Sequence, residues 1–166
     1  MNRYYVMKLY MGMLLFLVSG FLSAADWETD NLRFRGTLIE SMPCKVSSNN
    51  IIVVDFGSDV QTTLVDGTYK KMQIPYTVQC PTGAPSAMSI RIEGSGAAFD
   101  SNVLVTNITN FGIAILNDQT RLPINTSKEF NYPNWPKLYA VPVKRTGTTL
   151  SGGVFNSMAT MRVEYR

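Results

Sequence analysis

The chain has 166 residues, of which 45% are hydrophobic and 16% are charged, and its formal net charge is +3. Histidine is absent, which excludes Ser-His and Cys-His nucleophile systems and His-ligated metal sites. The twelve carboxylates are scattered, and no two are placed as a facing acid and base. We therefore expect neither an enzyme nor a metal or other cofactor.

Residues 1–25 have the pattern of a secretory signal peptide. Arg3 and Lys8 give a positive start, an apolar run extends over 9–22, and the segment ends in Ser-Ala-Ala, a cleavage-site pattern. The apolar run is short for a bilayer, so we expect cleavage after residue 25 rather than stable membrane insertion. Losing the two basic residues lowers the formal charge to about +1. Nucleic-acid binding therefore has little support.

The stretch 30–38, DNLRFRGTL, alternates apolar and polar side chains like a half-buried strand. It lies in an N-terminal extension, residues 26–41, and no turn dipeptide folds it back onto the following sequence. Burying its three large apolar side chains is worth about 5–9 kcal/mol in total, which approaches the stability of a typical domain. The extension therefore predicts a strand whose partner is another molecule. Its outward face carries Asn31, Arg33, Arg35 and Thr37, and its apolar face carries Leu32, Phe34, Gly36 and Leu38.

The two cysteines of the chain, Cys44 and Cys80, predict one disulfide, because an even number in an exported chain indicates pairing. The bond would close a loop of about 36 residues, worth roughly 4 kcal/mol in the chain-entropy model. A metal pair or a redox CxxC motif does not fit the spacing or the absence of histidine.

Residues 42–166 have the pattern of one all-β domain. Short runs rich in Val, Ile, Thr, Tyr and Phe alternate with breakers that contain Gly, Pro or Asn, and no stretch sustains a helical period. Short strands at this spacing favour a single sandwich of immunoglobulin type. The last predicted strand has the clearest alternation, and we expect its apolar face to pack on the core. The predicted strands are 50–57, 60–66, 70–80, 88–94, 102–108, 111–117, 137–145 and 155–165.

The segment 125–141 is rich in proline and aromatic residues. Two interpretations of Tyr132 and Trp135 are open. They form the sugar-binding platform of a secreted carbohydrate-binding module, or they pack over the end of the sandwich. We favour packing, and the carbohydrate-binding module is the alternative function.

In order and spacing, these features resemble the pilin subunits of chaperone–usher fimbriae in Gram-negative bacteria, over essentially the whole mature chain. The stretch DNLRFRGTLIESMPCKVS is similar to the extension and first strand of the P-pilus tip subunits. IIVVDFG and NVLVTNITNFGIAIL are similar to the P-pilus adaptor pilin. The C-terminus fits too, because Gly153 is fourteenth from the end and an aromatic residue, Tyr165, is penultimate.

The resemblance implies an incomplete immunoglobulin-like sandwich that lacks its last strand, with a groove between its first and last strands. In this family a periplasmic chaperone fills the groove with a strand of its own. At the outer-membrane usher, the N-terminal extension of the next subunit replaces that strand. The implied function is that of a structural minor pilin, a tip-fibre or adaptor subunit, that is exported through the periplasm to the cell-surface fimbrium and supports adhesion. The implied partners are the chaperone, the usher, neighbouring pilins and the tip adhesin.

The resemblance also assigns site residues. The extension would donate its apolar face, and Gly36 would let the backbone approach a neighbour's groove closely; the other interpretation of Gly36 is a bulge or weak spot. The terminal strand would border the chain's own groove, and the carboxylate of Arg166 would be anchored by basic residues of the chaperone. The groove-bordering residues are Gly153, Ala159, Met161, Val163, Tyr165 and Arg166.

Overall fold

The computed structural model describes residues 33–37, 43–47 and 50–166. These residues form eleven strands and no α-helix, which confirms the prediction of an all-β protein. No helix among them is long and apolar enough to cross a membrane. The chain divides into two units, Met1–Leu38 and Ile39–Arg166. Of the first unit, the structure describes 33–37, an exposed segment without regular secondary structure.

The second unit contains three antiparallel sheets. One pairs β1 with β3, and another has the order β11-β4-β9. The six-stranded sheet has the order β2-β10-β7-β6-β5, and β8 pairs with β7. The strands are β1 Lys45–Val46, β2 Met72–Gln73, β3 Val78–Gln79, β4 Ala87–Glu93, β5 Gly96–Ala97, β6 Asp100–Val105, β7 Phe111–Asn117, β8 Thr120–Leu122, β9 Lys128–Asn131, β10 Leu138–Lys144 and β11 Thr160–Tyr165.

The main hydrophobic core draws on all three sheets, with Val78, Ile90 and Ile113 among its buried side chains. A smaller cluster, which includes Ala114 and Val141, packs on the other face of the six-stranded sheet. Strand β7 contributes to both clusters, because successive side chains of a strand point to opposite faces. Burial on both faces explains why the sequence of β7, FGIAILN, is almost continuously apolar.

The predicted strand at 60–66 is wrong. This stretch runs through turns, and Val65 is buried in the core without belonging to a ladder. The Asp66 carboxylate accepts backbone hydrogen bonds from Thr68 and Tyr69, each at 2.8 Å. A side chain that captures nearby N–H groups in this way stabilises a turn in competition with a strand.

Other strand boundaries also differ from the prediction. The predicted strand 70–80 is divided into β2 and β3 on either side of Pro75, whose nitrogen cannot donate to a ladder. Strands β5, β8 and β9 lie in stretches that the sequence marked as breakers or left unassigned. They are short strands, whose formation depends on the neighbouring strand more than on their own sequence.

Candidate functional site: an open groove in the sandwich

An open groove with a volume of about 1700 Å³ runs along the second unit. Its walls are the segments 50–58 and 150–163. Core side chains line its floor, among them Ile92, Leu104 and Ile113. The groove therefore lies directly over the hydrophobic core of the sandwich.

The first wall is the segment 50–57, which has no ladder partner among the described residues. Its even-numbered apolar side chains, Ile52, Val54 and Phe56, are half-buried against the core. In contrast, Ile51 is 91% exposed and Val53 is 69% exposed. The alternation shows a strand-like segment that packs one face on the core and leaves the other face open.

The second wall contains β11, which pairs with β4 along one edge. The backbone N–H of Arg166 donates to the carbonyl of Ala87 at 3.0 Å. Because the backbone groups of a strand point alternately to its two edges, the even-numbered residues face β4 and the odd-numbered residues face the groove. At Met161 and Val163, no other described strand occupies the groove-facing edge. This edge can therefore accept a further strand.

Phe155 lies in the second wall, upstream of β11, and joins both walls to the core. Its ring meets Phe111 edge to face at 4.8 Å between centroids, and it meets Phe56 of the first wall at 5.8 Å. Gly153, two residues earlier, has a φ of +148°, a region that favours glycine. The wall thus turns at a glycine and is then fixed by an aromatic cluster.

The structure brings four of the predicted groove residues together: Gly153, Ala159, Met161 and Val163 all line the groove. Two others lie at the far end of the terminal strand and make different contacts. The Tyr165 hydroxyl donates to Cys44 Sγ at 3.3 Å, because a disulfide sulfur has no hydrogen of its own. The guanidinium of Arg166 forms an ion pair with Glu129.

The predicted donor residues lie in or beside the first unit's described segment. Phe34 is 88% exposed, and Gly36 has no atom within 4 Å of the position where a Cβ would lie. The predictions for Leu32 and Leu38 lie outside the described residues. The segment 33–37 is exposed throughout, with no regular secondary structure.

The predicted disulfide joins Cys44 to Cys80 at an S–S distance of 2.03 Å. Cys44 directly precedes β1 and Cys80 directly follows β3, so the bond reinforces a sheet of only two residues per strand. Cys44 also lines one end of the groove. The bond therefore fixes the chain where it enters the first wall.

Sequence reasoning predicted the first wall as a strand, but it did not assign Ile52, Val54 and Phe56 to a groove. The floor residues were also missed, since they belong to strands that pack like any core strand. One signal was present in the sequence: IIVV at 51–54 is apolar on both faces. That pattern is unusual for a strand with one solvent face.

The contacts of Tyr132 and Trp135 favour the interpretation that these side chains pack on the sandwich. Their rings stack with centroids 6.5 Å apart, and both are half-buried against the main core. The neighbouring Pro136 carbonyl accepts a hydrogen bond from the Tyr76 hydroxyl, and burial raises the pKa of that hydroxyl above its ordinary value. The segment is thus tied to the sandwich by aromatic contacts and a half-buried hydrogen bond.

The groove lining offers little acid–base chemistry. Asp55 and Arg162 are the charged residues that line it among the described residues. They lie on opposite walls, and Arg162 is engaged by Glu93 and Glu164. Within the same described ranges, no group of three or more His, Cys, Asp or Glu residues could hold a metal ion. The lining is suited to burying an apolar strand.

Comparison with known proteins matches the family model described as "Fimbrial protein" to residues 32–166. The chain is 32% identical over 159 residues to YfcQ, an uncharacterized fimbrial-like protein of Escherichia coli K12, covering 92% of this chain and 96% of that one. The solved structure of the P pilus adaptor subunit PapF is 27% identical, with a TM-score of 0.57 over 76% of this chain and 98% of that one. A chaperone–usher pilus structure has the same fold, with 18% identity and a TM-score of 0.54 over 84% and 97% of the two chains.

Proposed function

The chain belongs to the fimbrial protein family, and we propose that it polymerises into a fimbrium by exchanging strands at the groove described above. It is a structural minor pilin of the chaperone–usher type. As such it is exported to the surface fimbria of a Gram-negative bacterium, and its partners are the chaperone, the usher and neighbouring pilins. Within that role we propose an adaptor or tip-fibre position, by analogy with PapF.

The open groove carries the proposal. A strand inserted between 50–57 and β11 would pair with an open edge on both sides and cover an apolar floor. Exposed strand edges over a hydrophobic core are an aggregation hazard that proteins remove by adding a strand. Strand addition also gives affinity through the backbone and specificity through alternate side chains. The groove thus fits an extended peptide better than a small ligand.

The donor for a neighbouring subunit would be the chain's own extension. We assign residues 1–25 to the signal peptide, 26–41 to the extension and 42–166 to the pilin domain. Leu32, Phe34 and Leu38 would fill the neighbour's groove, which is worth about 5–9 kcal/mol in buried apolar surface. The 88% exposure of Phe34 supports this role, since a large aromatic side chain gains free energy when it leaves water. At Gly36 the missing side chain would let the two backbones approach closely.

The chaperone would use the same groove before assembly. Its strand would border Gly153, Ala159, Met161, Val163 and Tyr165, and its basic residues would bind the carboxylate of Arg166. The groove residues among these line one continuous wall, which supports the assignment. The apolar lining, with its two separated charged residues, also supports a structural subunit over an enzyme.

The test is whether folding depends on a donor strand. We compare residues 26–166 expressed alone, co-expressed with the chaperone of the same fimbrial system, and expressed as a tethered chain. The tethered chain carries a second copy of residues 26–41 after Arg166, joined by a flexible linker that holds it at about millimolar effective concentration. The chain alone should aggregate, the chaperone should form a one-to-one complex, and the tethered chain should unfold cooperatively.

A matched control is the tethered chain with Leu32→Asp and Phe34→Asp in the added copy, which should behave like the chain alone. A cooperatively folded monomer of residues 26–166 without any donor would contradict the proposal.

A further inference from the structure

The segment 154–159, which leads into β11, is held in place although it lies beyond the end of β4. Strand β4 ends at Glu93, which pairs with Thr160. Upstream of that point, the side chain of Asn107 takes over. Its Nδ2 donates to the carbonyl of Val154 at 3.0 Å, and its Oδ1 accepts from the backbone N–H of Asn156 at 2.8 Å.

Both bonded backbone groups belong to even-numbered residues, the set that faces β4 within β11. Between the two regions, a Cβ at Gly94, the residue after the end of β4, would lie 3.3 Å from the carbonyl oxygen of Met158, so the two chain segments still adjoin there. The supported edge is therefore continuous: β4 supports 160–166, Gly94 adjoins Met158, and Asn107 binds 154 and 156.

Ser157 adds a second link on the same stretch. Its Oγ donates to the carbonyl of Val105 at 2.7 Å. Val105 is the last residue of β6, and Asn107 lies in the connection from β6 to β7. The end of β6 thus contributes one carbonyl, and the following loop one amide side chain, where a longer β4 would have contributed backbone hydrogen bonds.

We propose that Asn107 is a positioning residue for strand exchange, which rests on the proposed function of the groove. By acting as a short substitute for a neighbouring strand, it keeps 154–157 extended and in line with β11. The groove-facing N–H and C=O groups of the odd-numbered residues Phe155 and Ser157 then continue the open edge of β11. An incoming strand pairs along 155–163 because Asn107 binds the opposite edge of the segment at 154 and 156.

Hydrogen exchange of single amides, measured by NMR on the tethered chain, tests this assignment. In the parent tethered chain, the amides of Phe155, Ser157, Met161 and Val163 should be protected by the inserted strand. In Asn107→Ala, the amide of Asn156 should exchange about tenfold faster or more, as expected when one hydrogen bond is lost. The amides at 155 and 157 should lose protection, whereas those at 161 and 163 should keep it.

Asn125→Ala is the matched control. Asn125 also binds backbone through both ends of its amide, with the N–H and the carbonyl of Gly94 each at 3.1 Å. It supports the end of β4, and among the hydrogen bonds of the described residues it makes none to 154–157. This variant should leave the protection at 155 and 157 unchanged, even if the chain melts at a lower temperature. Asn107→Asp keeps an acceptor for the N–H of Asn156 but lacks the donor for the carbonyl of Val154. Its amide protection at 155 and 157 should therefore lie between that of the parent and that of Asn107→Ala.

Two results would overturn the assignment: equal exchange of the Asn156 amide in parent and Asn107→Ala, or full protection at 155 and 157 in that variant. Failure of the proposed function gives a different result. In that case the amides at 161 and 163 are unprotected even in the parent tethered chain, and the Asn156 amide still decides whether Asn107 holds the strand.

Discussion

The ring of Phe155 packs edge to face on the ring of Phe111, with centroids 4.8 Å apart and planes at 82°. Phe111 is the first residue of β7 and is buried in the main core at the floor of the groove, whereas Phe155 lies in the groove wall. Because Phe155 also contacts Phe56 of the opposite wall, this one side chain links the two walls of the groove to each other and to the core. Aromatic pairs of this geometry contribute beyond their buried area.

Replacing this ring should therefore destabilise the domain. We expect Phe155→Ala to lower the free energy of unfolding of the tethered chain by about 2–4 kcal/mol, since the site is half-buried. Urea denaturation measures the change. The neighbouring Val154→Ala is the control: Val154 is 88% exposed, and its loss should change stability by about 0.5 kcal/mol or less. Equal effects of the two substitutions would contradict the coupling.

The disulfide should contribute through the loop of 36 residues that it closes. We expect replacement of both Cys44 and Cys80 by Ser to lower the free energy of unfolding by roughly 4 kcal/mol, because the unfolded chain gains freedom. Urea denaturation of the tethered chain with and without a reducing agent measures this. Reduction should lower the free energy of unfolding of the parent to that of the double variant and leave the value for the double variant unchanged. A parent that is insensitive to reduction would disprove the contribution.

Phe34→Asp should separate folding from assembly. Phe34 is 88% exposed in this chain, so we expect the variant to fold and to co-purify with its chaperone as the parent does. Assembly should fail, because a carboxylate would have to enter the neighbour's apolar groove without a partner. The measurement is incorporation into surface fibres when the variant is the only copy in the cell.

Thr37→Asp is the control for Phe34→Asp, since it adds the same charge to the outward face of the extension and should assemble. Normal fibres formed by Phe34→Asp would defeat the donor assignment.

Tyr76 should make stability depend on alkaline pH. Burial raises the pKa of its hydroxyl in the folded state, so the folded protein favours the neutral form. The resulting stabilisation is complete below the unfolded pKa, near 10 for tyrosine, and is lost as the pH rises above it. Urea denaturation of the tethered chain should therefore show that the free energy of unfolding declines between about pH 8 and pH 11, and that the decline is smaller in Tyr76→Phe. Parallel pH profiles for the two chains would count against this role for Tyr76.

How well the sequence predicted each element depended on where its partners lie. Strand β7 was predicted with the bounds that it has, 111–117, and β10 was predicted one residue too long at each end, because their own apolar runs are long and each is buried on both faces. The short strand β8 was missed, since it has three residues and is defined by its pairing with β7. The stretch 60–66 was predicted as a strand from its composition, but the N–H of Leu64 donates to the carbonyl of Gln61 and closes a turn within it, and Asp66 stabilises the next turn.

The sequence by itself determined the all-β class, the disulfide partners and the apolar face of the terminal strand. These follow from local alternation and from cysteine count, which need no knowledge of distant neighbours. Only the tertiary structure decided that 50–57 and β11 enclose a groove over the core, because the apolar run at 51–54 shows that both faces of the segment are apolar but not which neighbouring strand is missing. The support of 154–156 by Asn107 is likewise a contact across 47 and 49 residues, and no local pattern encodes it.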